Sequence, residues 1–302
     1  MSSRDGIELG LEAAATDRAL STARSSPATA EEPYMALQVE IDVGVATVTI
    51  NHPPTNLVDG PFFVALLDTV GRLEADESVR VVVFRSADPD FFLMHGDVHM
   101  LRDLAPPYVP AVEPNIAAAT FTRLRTGRLV TIGLLDGIAR GGGCELLCGM
   151  DLRFGSERSL VGQPEVALGI IAGAGGTVHW SRAVGRGRAL DILLTGRDVA
   201  ADELLAIGWL DRLIPSDELE HTVYSVARRI AAMPGDAVAA VKRVVDAPTD
   251  QALVVESNEV ARLMSMGEHG PRMDRFVAAG GQTRDAEINT MQTILDAVLE
   301  LQ

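Results

Sequence analysis

A run of three glycines followed by a glutamate is the stretch of this 302-residue chain that is best suited to chemistry. Gly141, Gly142 and Gly143 follow an apolar run, and Glu145 lies in the first turn of the helical pattern that begins after them. Glycine at a helix start lets a ligand approach main-chain N–H groups that have no partner within the helix. A carboxylate there would repel a phosphate. The stretch therefore favours an oxyanion held by backbone N–H groups, with a carboxylate acting beside it as acid or base.

A second candidate segment runs from Phe91 to Val98 and follows the apolar run 79–84, which predicts a buried strand. Ligands of parallel sheets bind outside the carboxyl ends of the strands. Gly96 could therefore offer one backbone N–H, and Gly142 a second one from the triple-glycine turn. Two donors from separate loops would form an oxyanion hole, in which the loss of one donor raises the barrier by about 3 kcal/mol.

A third candidate segment is the run Gly162-Gln163-Pro164-Glu165, which precedes a glycine-rich stretch over 173–177. Pro164 stiffens the chain immediately before a carboxylate. The glycines of 173–177 open another predicted helix, whose N-terminus favours the charged form of a nearby carboxylate. Glu165 is therefore a second candidate for acid–base chemistry.

The elements that must position these segments alternate between strand and helix patterns. The runs 37–41 and 45–50 predict a hairpin, and further buried strands are predicted over 79–84 and 130–135. Predicted helices between and after them cover 62–73, 116–124 and 144–150. Such alternation implies parallel strands joined by crossover helices. After residue 174 the pattern becomes almost wholly helical, over 189–194, 201–208, 219–232, 236–245 and 251–266. The predicted class is an α/β sheet core followed by a helical C-terminal part.

Composition narrows the classes of function. The formal net charge of −16 argues against generic nucleic-acid binding, which needs a basic face. Lys242 is the only lysine, so arginine and backbone N–H groups would have to hold any polyanionic ligand. Cys144 and Cys148 are the only cysteines, which argues against a disulfide framework and a zinc site. No apolar run is long enough to span a bilayer, and residues 1–30 lack the apolar core of a secretory signal. We expect a cytoplasmic protein with no metal site and no membrane or nucleic-acid partner.

Three motifs occur in the order and spacing of the crotonase (enoyl-CoA hydratase/isomerase) superfamily, which the chain resembles over roughly residues 36–245. They are Phe92-Leu-Met-His-Gly-Asp-Val98, Gly141-Gly-Gly-Cys-Glu-Leu146, and Gly162-Gln-Pro-Glu165 with Gly173-Ala-Gly-Gly-Thr177. The resemblance implies a crotonase-like α/β fold, with repeated ββα units around a spiral sheet core, over 34–235. It also implies a helical trimerisation part over 236–302, and hence a homotrimer or a dimer of trimers. Residues 1–33 have a linker composition and are expected to form a flexible arm.

The resemblance also implies a substrate and roles for four residues. The substrate is an acyl-CoA thioester, which carries coenzyme A itself and needs no other cofactor. The oxyanion N–H groups belong to Gly96 and Gly142, and the two glutamates of the family's hydratases correspond to Glu145 and Glu165. Hydration needs a base that activates water at C3 and an acid that protonates C2. We assign the water to Glu145 and proton exchange at C2 to Glu165, although such a coupled pair can share its protons.

Six further residues of these motifs are candidate substrate-binding residues: Met94, His95, Asp97, Arg140, Gly141 and Gly173. His95 stands where the family usually has a small residue, and Arg140 where an apolar residue is common. Both would bring bulk or charge to the mouth of the pocket. Asp97 is expected to fix its loop through hydrogen bonds to the backbone.

Several activities remain open within this resemblance. Two carboxylates favour a hydratase, since family members that keep only one tend to be isomerases or other enolate-handling enzymes. His95 motivates the alternatives of an enoyl-CoA isomerase and of a hydrolase of a thioester or a β-diketone. A non-catalytic acyl-CoA binder is a third alternative, and the presence of both Glu145 and Glu165 argues against it.

Overall fold

The computed structural model describes residues 36–103, 112–247, 269–280 and 290–299, with single positions between 254 and 282. The strands are β1 (Leu37–Asp42), β2 (Val45–Ile50), β3 (Val81–Ser86), β4 (Phe91–Leu93), β5 (Val130–Leu135), β6 (Ile138–Arg140), β7 (Leu152–Gly155), β8 (Leu160–Gly162), β9 (Asp198–Ala200) and β10 (Arg212–Leu213). The helices are α1 (Gly60–Ala75), α2 (Val98–Asp103), α3 (Ile116–Thr126), α4 (Gly142–Cys148), α5 (Gly176–Val184), α6 (Arg186–Thr195), α7 (Ala201–Ala206), α8 (Ser216–Ala232), α9 (Gly235–Asp246), α10 (His269–Ala278) and α11 (Met291–Val298). Glu165–Leu168 forms a 3₁₀ turn.

A pair of strands followed by a helix recurs along the chain, as β1–β2–α1, β3–β4–α2, β5–β6–α4 and β7–β8–α5. The first strands of the four units, together with β2 and β10, build a six-stranded sheet in the order β1-β2-β3-β5-β7-β10. Only β1 is antiparallel to its neighbour in this sheet. The second strands of the three later units, together with β9, build a four-stranded sheet in the order β4-β6-β8-β9. The predicted hairpin, the parallel strands and the repeated ββα units are therefore confirmed.

The helix α1 shows how local sequence fixes an element beside the large sheet. Asp59 precedes it and accepts a hydrogen bond from the backbone N–H of Phe62, which satisfies one of the free donors of the first turn. Phe62, Leu66 and Val70 recur at helical spacing and are buried against the strand residues Val82 and Phe84, among others. This packing holds α1 against the large sheet and thereby fixes the end of the segment 52–58, which precedes the helix.

The opposite face of the large sheet is covered by α8. Its Leu219, Val223 and Ala227 share one stripe and pack against a second apolar cluster that includes Val83 and Ile132. Since the first four residues of β3 and all of β5 are buried, these stretches are mainly apolar, as is typical of parallel strands that are covered on both faces.

The structure differs from the sequence predictions mainly in the short strands. β4 and β6 to β10 have two to four residues each, which is too short to show a periodic pattern, and β9 and β10 interrupt the part predicted to be helical. The strand predicted from residue 79 begins at Val81, because the N–H of Val79 turns back to the carbonyl of Asp76.

Some predictions lie wholly or mainly outside the described residues. The arm over 1–33 is one of them, and the helix predicted over 251–266 falls almost entirely on such residues. The division into a core over 34–235 and a trimerisation part over 236–302 remains a prediction. Within the part of the chain that the structure describes, no helix is long and apolar enough to cross a membrane.

Candidate active site

The two glycines predicted to offer N–H donors lie side by side. Gly96 follows β4, and Gly142 is the first residue of α4, so its N–H has no partner within that helix. A Cβ atom added at Gly142 would lie 3.6 Å from the backbone nitrogen of Gly96. Among the described residues, neither N–H donates a hydrogen bond to another group. Two unused backbone donors from separate loops therefore meet at one place.

The loop that carries Gly96, residues Met94–Asp97, is held by main-chain hydrogen bonds on two sides. On one side, the N–H of Val58 donates to the carbonyl of His95 at 3.1 Å, and the N–H of Asp97 donates to the carbonyl of Val58 at 3.0 Å. On the other side, the N–H of Gly143 donates to the carbonyl of Met94 at 3.0 Å. A Cβ atom at Gly143 would overlap the carbonyl oxygen of Leu93, so only glycine permits this approach.

Glu145 points from α4 into the start of α5 and is 5% exposed. Its Oε1 accepts hydrogen bonds from the backbone N–H of Ala174 at 2.7 Å and of Gly176 at 3.0 Å. A Cβ atom at Gly176 would lie 2.9 Å from the Cγ of Glu145, so the glycine makes room for the carboxylate. The glycine-rich segment 173–177 thus donates hydrogen bonds to Glu145, whereas the sequence led us to associate this segment with Glu165.

Burial raises the pKa of Glu145 to about 7. The hydrogen bond from Gly176 acts in the opposite direction, and the negative charge of Glu165 raises the pKa further. A carboxyl group with this pKa populates both its protonated and its ionised form near neutral pH. Both proton donation and proton acceptance are then open to it, which is the condition for acid–base catalysis.

Glu165 begins the 3₁₀ turn after β8 and is half-buried, and this burial raises the pKa of its carboxyl group. The buried amide of Gln163, in the orientation that satisfies both groups, donates from its nitrogen to both carboxylate oxygens at 3.0 Å. A Cβ atom at Gly141 would lie 2.9 Å from Oε1 of Glu165 and 2.7 Å from the Cβ of His95. The three candidate segments therefore meet around the triple-glycine turn, Gly141–Gly143.

Arg140 forms an ion pair with Asp198. Its guanidinium forms a two-point ion pair with Asp198, from Nε to Oδ1 at 2.8 Å and from Nη2 to Oδ2 at 2.6 Å. Arg140 of β6 and Asp198 of β9 each pair with Gly162 of β8, the strand between them, and a Cβ atom at Gly162 would lie 2.5 Å from Oδ1 of Asp198. The positive charge of Arg140 is therefore balanced by the carboxylate of Asp198.

The other candidate substrate-binding residues have local partners. Asp97 accepts the backbone N–H groups of His99 and Met100, at 2.7 and 3.1 Å, and thereby holds the start of α2, as the sequence predicts. These bonds lower the pKa of Asp97. The Nδ1 of His95 lies 3.0 Å from the carbonyl oxygen of Gly96, while Met94 is buried.

The remaining glycine of this set, Gly173, is exposed, and its carbonyl accepts the amide nitrogen of Asn115 at 2.8 Å. Cys144 and Cys148 are free and fully packed in the core, in agreement with a packing role. The described residues contain no group of three or more acidic, histidine or cysteine side chains that could hold a metal ion.

Two side chains of the site were given no role from the sequence. Gln163 is part of the motif that ends in Glu165, but only the structure shows that its side chain donates hydrogen bonds to that carboxylate. Asn56 is 1% exposed. Its side-chain nitrogen donates to the carbonyl of Phe92 in β4, and its own carbonyl accepts the N–H of Met94 in the Gly96 loop. Asn56 follows two prolines and a threonine, which is the composition of an ordinary turn, so no signal in the sequence distinguishes it.

Comparison with known proteins decides the family. The sequence model described as enoyl-CoA hydratase/isomerase matches residues 40–270 of this chain. The chain belongs to the enoyl-CoA hydratase/isomerase family. A short-chain-enoyl-CoA hydratase of Clostridium acetobutylicum is 30% identical over 242 residues, which are 77% of this chain and 91% of that protein.

Solved structures of other proteins share the fold. An enoyl-CoA hydratase from Bacillus anthracis superposes with a TM-score of 0.73 at 22% identity, over 80% of this chain and 96% of that one. DspI from Pseudomonas aeruginosa gives 0.68 at 26% identity, over 80% of this chain and 100% of the other. The crotonase-like α/β fold predicted from the three motifs is thereby confirmed. The chain is an enzyme of the enoyl-CoA hydratase/isomerase family.

Proposed function

We propose that this enzyme adds water across the 2,3-double bond of an acyl-CoA thioester and is a hydro-lyase. The observation that carries the proposal is the meeting of two glutamates of raised pKa with two backbone N–H groups that are otherwise unused. Donors and carboxylates in this combination suit a reaction that passes through an enolate. The names of related family members as enoyl-CoA hydratases support the same activity.

The thioester carbonyl oxygen binds between the N–H groups of Gly96 and Gly142 in this proposal. Negative charge develops on that oxygen as the enolate forms, and two fixed donors stabilise it more than they stabilise the neutral carbonyl. Each such donor is worth about 3 kcal/mol of barrier. Because glycine leaves no Cβ at either position, the ligand can approach the main chain closely.

Glu145 and Glu165 divide the proton transfers. Glu145 takes a proton from water as the water oxygen bonds to C3, and the electrons of the double bond move toward the carbonyl to give the enolate. Glu165 then delivers a proton to C2, and the enolate collapses to the 3-hydroxyacyl thioester. A net exchange between the two carboxyl groups, through solvent or product, restores the starting state. Burial, and after it the negative charge of Glu165, raises the pKa of Glu145, and a coupled pair of this kind can hold a proton on either carboxyl group. The hydration cycle starts from the form in which Glu145 is ionised and Glu165 carries the proton.

We also propose that the enzyme works as a homotrimer or a dimer of trimers. Three large apolar side chains immediately after Glu165 are exposed in the single chain: Leu168, Ile170 and Ile171. Neighbouring exposed apolar residues of this size mark contact surfaces between proteins. This surface lies beside the site, which adds a second candidate contact region to the predicted C-terminal one.

Hydration is tested by incubating the purified enzyme with crotonyl-CoA and with longer and aromatic enoyl-CoAs. The absorbance of the conjugated thioester should fall, and the product should gain the mass of water. Glu145→Ala and Glu165→Gln should each lose this activity, while Glu218→Gln, a matched change at an exposed helix residue, should retain it. Full activity in the Glu165→Gln enzyme would contradict the mechanism.

A second candidate function is double-bond isomerisation of an enoyl-CoA. Two carboxyl groups whose pKa values are both raised by burial would also suffice to move a proton between C4 and C2. Offering a 3-enoyl-CoA separates the cases, because isomerisation yields a conjugated thioester without a gain of water. Release of free CoA thiol would instead identify a thioester hydrolase, and binding of CoA esters without any product would identify a binder.

A further inference from the structure

Asn56 lies beneath the Gly96 loop, in a pocket of main-chain oxygens. Its side-chain nitrogen donates to Ser86 Oγ at 2.9 Å and to the carbonyl oxygens of Phe91 and Phe92, each at 3.1 Å. These acceptors belong to the end of β3 and to β4. The amide thus ties the loop 52–58 to the strand that leads directly into the Gly96 loop.

The remaining polar groups of Asn56 are also used. Its Oδ1 accepts the N–H of His52 at 2.7 Å, its own N–H donates to the carbonyl of His52 at 2.7 Å, and its carbonyl accepts the N–H of Met94 at 2.8 Å. Its φ of 54° lies in the left-handed region, which asparagine tolerates better than most residues. Backbone conformation and side-chain bonding both depend on asparagine at this position.

Val58, two residues further on, contacts both segments that hold the N–H donors. It pairs with Gly96 in an isolated parallel bridge, through the bonds to His95 and Asp97 described above. Its Cγ2 would lie 3.2 Å from a Cβ at Gly142, so the same residue also packs on the start of α4. A shift of the loop 52–58 would therefore move the Gly96 N–H relative to the Gly142 N–H.

We propose that Asn56 is a positioning residue for the oxyanion site, acting through Met94 and Val58 and without touching the substrate. This inference rests on the proposed function. Backbone donors stabilise an oxyanion only when they lie about 2.7–3.1 Å from it. A misplacement of about 1 Å by a residue away from the chemistry can reduce the rate by about a hundredfold. Because the two N–H groups stabilise the developing oxyanion more than the neutral carbonyl, their misplacement should lower kcat more than it changes KM.

The test compares Asn56→Asp and Asn56→Gly with the wild-type enzyme. The aspartate keeps the size and the acceptor oxygen but loses the two side-chain hydrogens, whereas glycine keeps the left-handed backbone and loses the whole amide. Asn51→Asp, the same change at an exposed position of the same region, controls for charge. Ile132→Val, in the buried β5, controls for loss of stability without a change near the site.

Two quantities are measured in every folded variant. The first is the steady-state hydration of crotonyl-CoA, and the second is the absorbance of bound 4-(dimethylamino)cinnamoyl-CoA. The absorbance of this donor–acceptor chromophore moves to longer wavelength as its thioester carbonyl is polarised, so it reports on the N–H pair directly. We expect both Asn56 variants to lose about 10- to 100-fold in kcat with KM changed less than about threefold. The absorbance shift should shrink in parallel, and both controls should resemble the wild type.

The outcomes separate the inference from the proposed function. If the wild-type enzyme neither hydrates the thioester nor shifts the chromophore, the proposed function is wrong. If it does both and the Asn56 variants match it in kcat and absorbance shift, the positioning role is wrong. Should neither Asn56 variant fold, Ser86→Ala removes a single partner of the amide. That variant should show the same loss in kcat and absorbance shift in weaker form, and a result equal to that of Ile132→Val would overturn the inference.

Discussion

Replacing Glu145 by glutamine should stabilise the fold in a pH-dependent manner while it abolishes hydration. The glutamine keeps a carbonyl oxygen that can accept the N–H groups of Ala174 and Gly176, but it carries no charge. The wild-type carboxylate is buried beside the negative charge of Glu165 and is therefore held at an energetic cost whenever it is ionised.

The magnitude follows from the pKa of Glu145, which the fold raises from an ordinary value of 4.5 to about 7. That difference corresponds to about 3 kcal/mol. Because the pKa is raised in the folded state, the stability that the bound proton contributes is complete below pH 4.5 and is lost as the pH rises through about 7. The glutamine variant should therefore match the wild type near pH 4.5 and exceed it by up to about 3 kcal/mol at pH 8.5.

The assay is urea-induced unfolding at a series of pH values, at one fixed protein concentration because assembly would also contribute to stability. Glu218→Gln serves as the control, since an exposed side chain should give a small difference that does not depend on pH. A stability difference between the Glu145 variant and the wild type that stays constant from pH 5 to 8.5 would refute the reasoning.

Three further variants test other parts of the site and its support. Gly141→Ala should lose at least about a hundredfold in kcat, because the added Cβ would lie 2.9 Å from Oε1 of Glu165 and the φ of 52° disfavours alanine; steady-state kinetics with a melting curve would show this. Lys242→Met should destabilise the protein by about 3 kcal/mol in urea unfolding, since it leaves the buried carboxylate of Asp151 with its hydrogen bonds from Thr131 but without its cationic partner at 2.8 Å. Arg140→Met should change KM for the CoA thioester less than about threefold and stability by about 1 kcal/mol or less, because it removes a partly exposed ion pair; a large rise in KM would instead show a direct substrate contact.

Long, uniform patterns made much of the fold predictable. The strand Val130–Leu135 was predicted with its observed bounds, because a fully buried strand is a continuous apolar run ended here by Asp-Gly. The helices over 60–75 and 216–232 were likewise found within a few residues of their observed ends. The strand Asp198–Ala200 was not predicted, since three residues carry no period and its pairing with β8 is a long-range contact.

Proximity within the candidate site was predictable, but its detailed contacts were not. Glycine-rich segments after strand ends indicated that Gly96, Gly142 and the two glutamates lie together, and the structure brings the segments to one place. The sequence could not show that Arg140 pairs with a residue 58 positions away, or that Asn56 bonds to the strand before Gly96. Such contacts depend on the folded arrangement of distant segments and leave no local pattern.

Crotonyl-CoA hydration in water labelled with a heavy oxygen isotope tests the central claim most directly. The labelled oxygen should appear in the product at C3 with the wild-type enzyme, and should be absent with both Glu145→Gln and Glu165→Gln under the same conditions. A product without the label, or equal labelling in the two glutamine variants and the wild type, would contradict the proposal that these two carboxyl groups add water to the thioester.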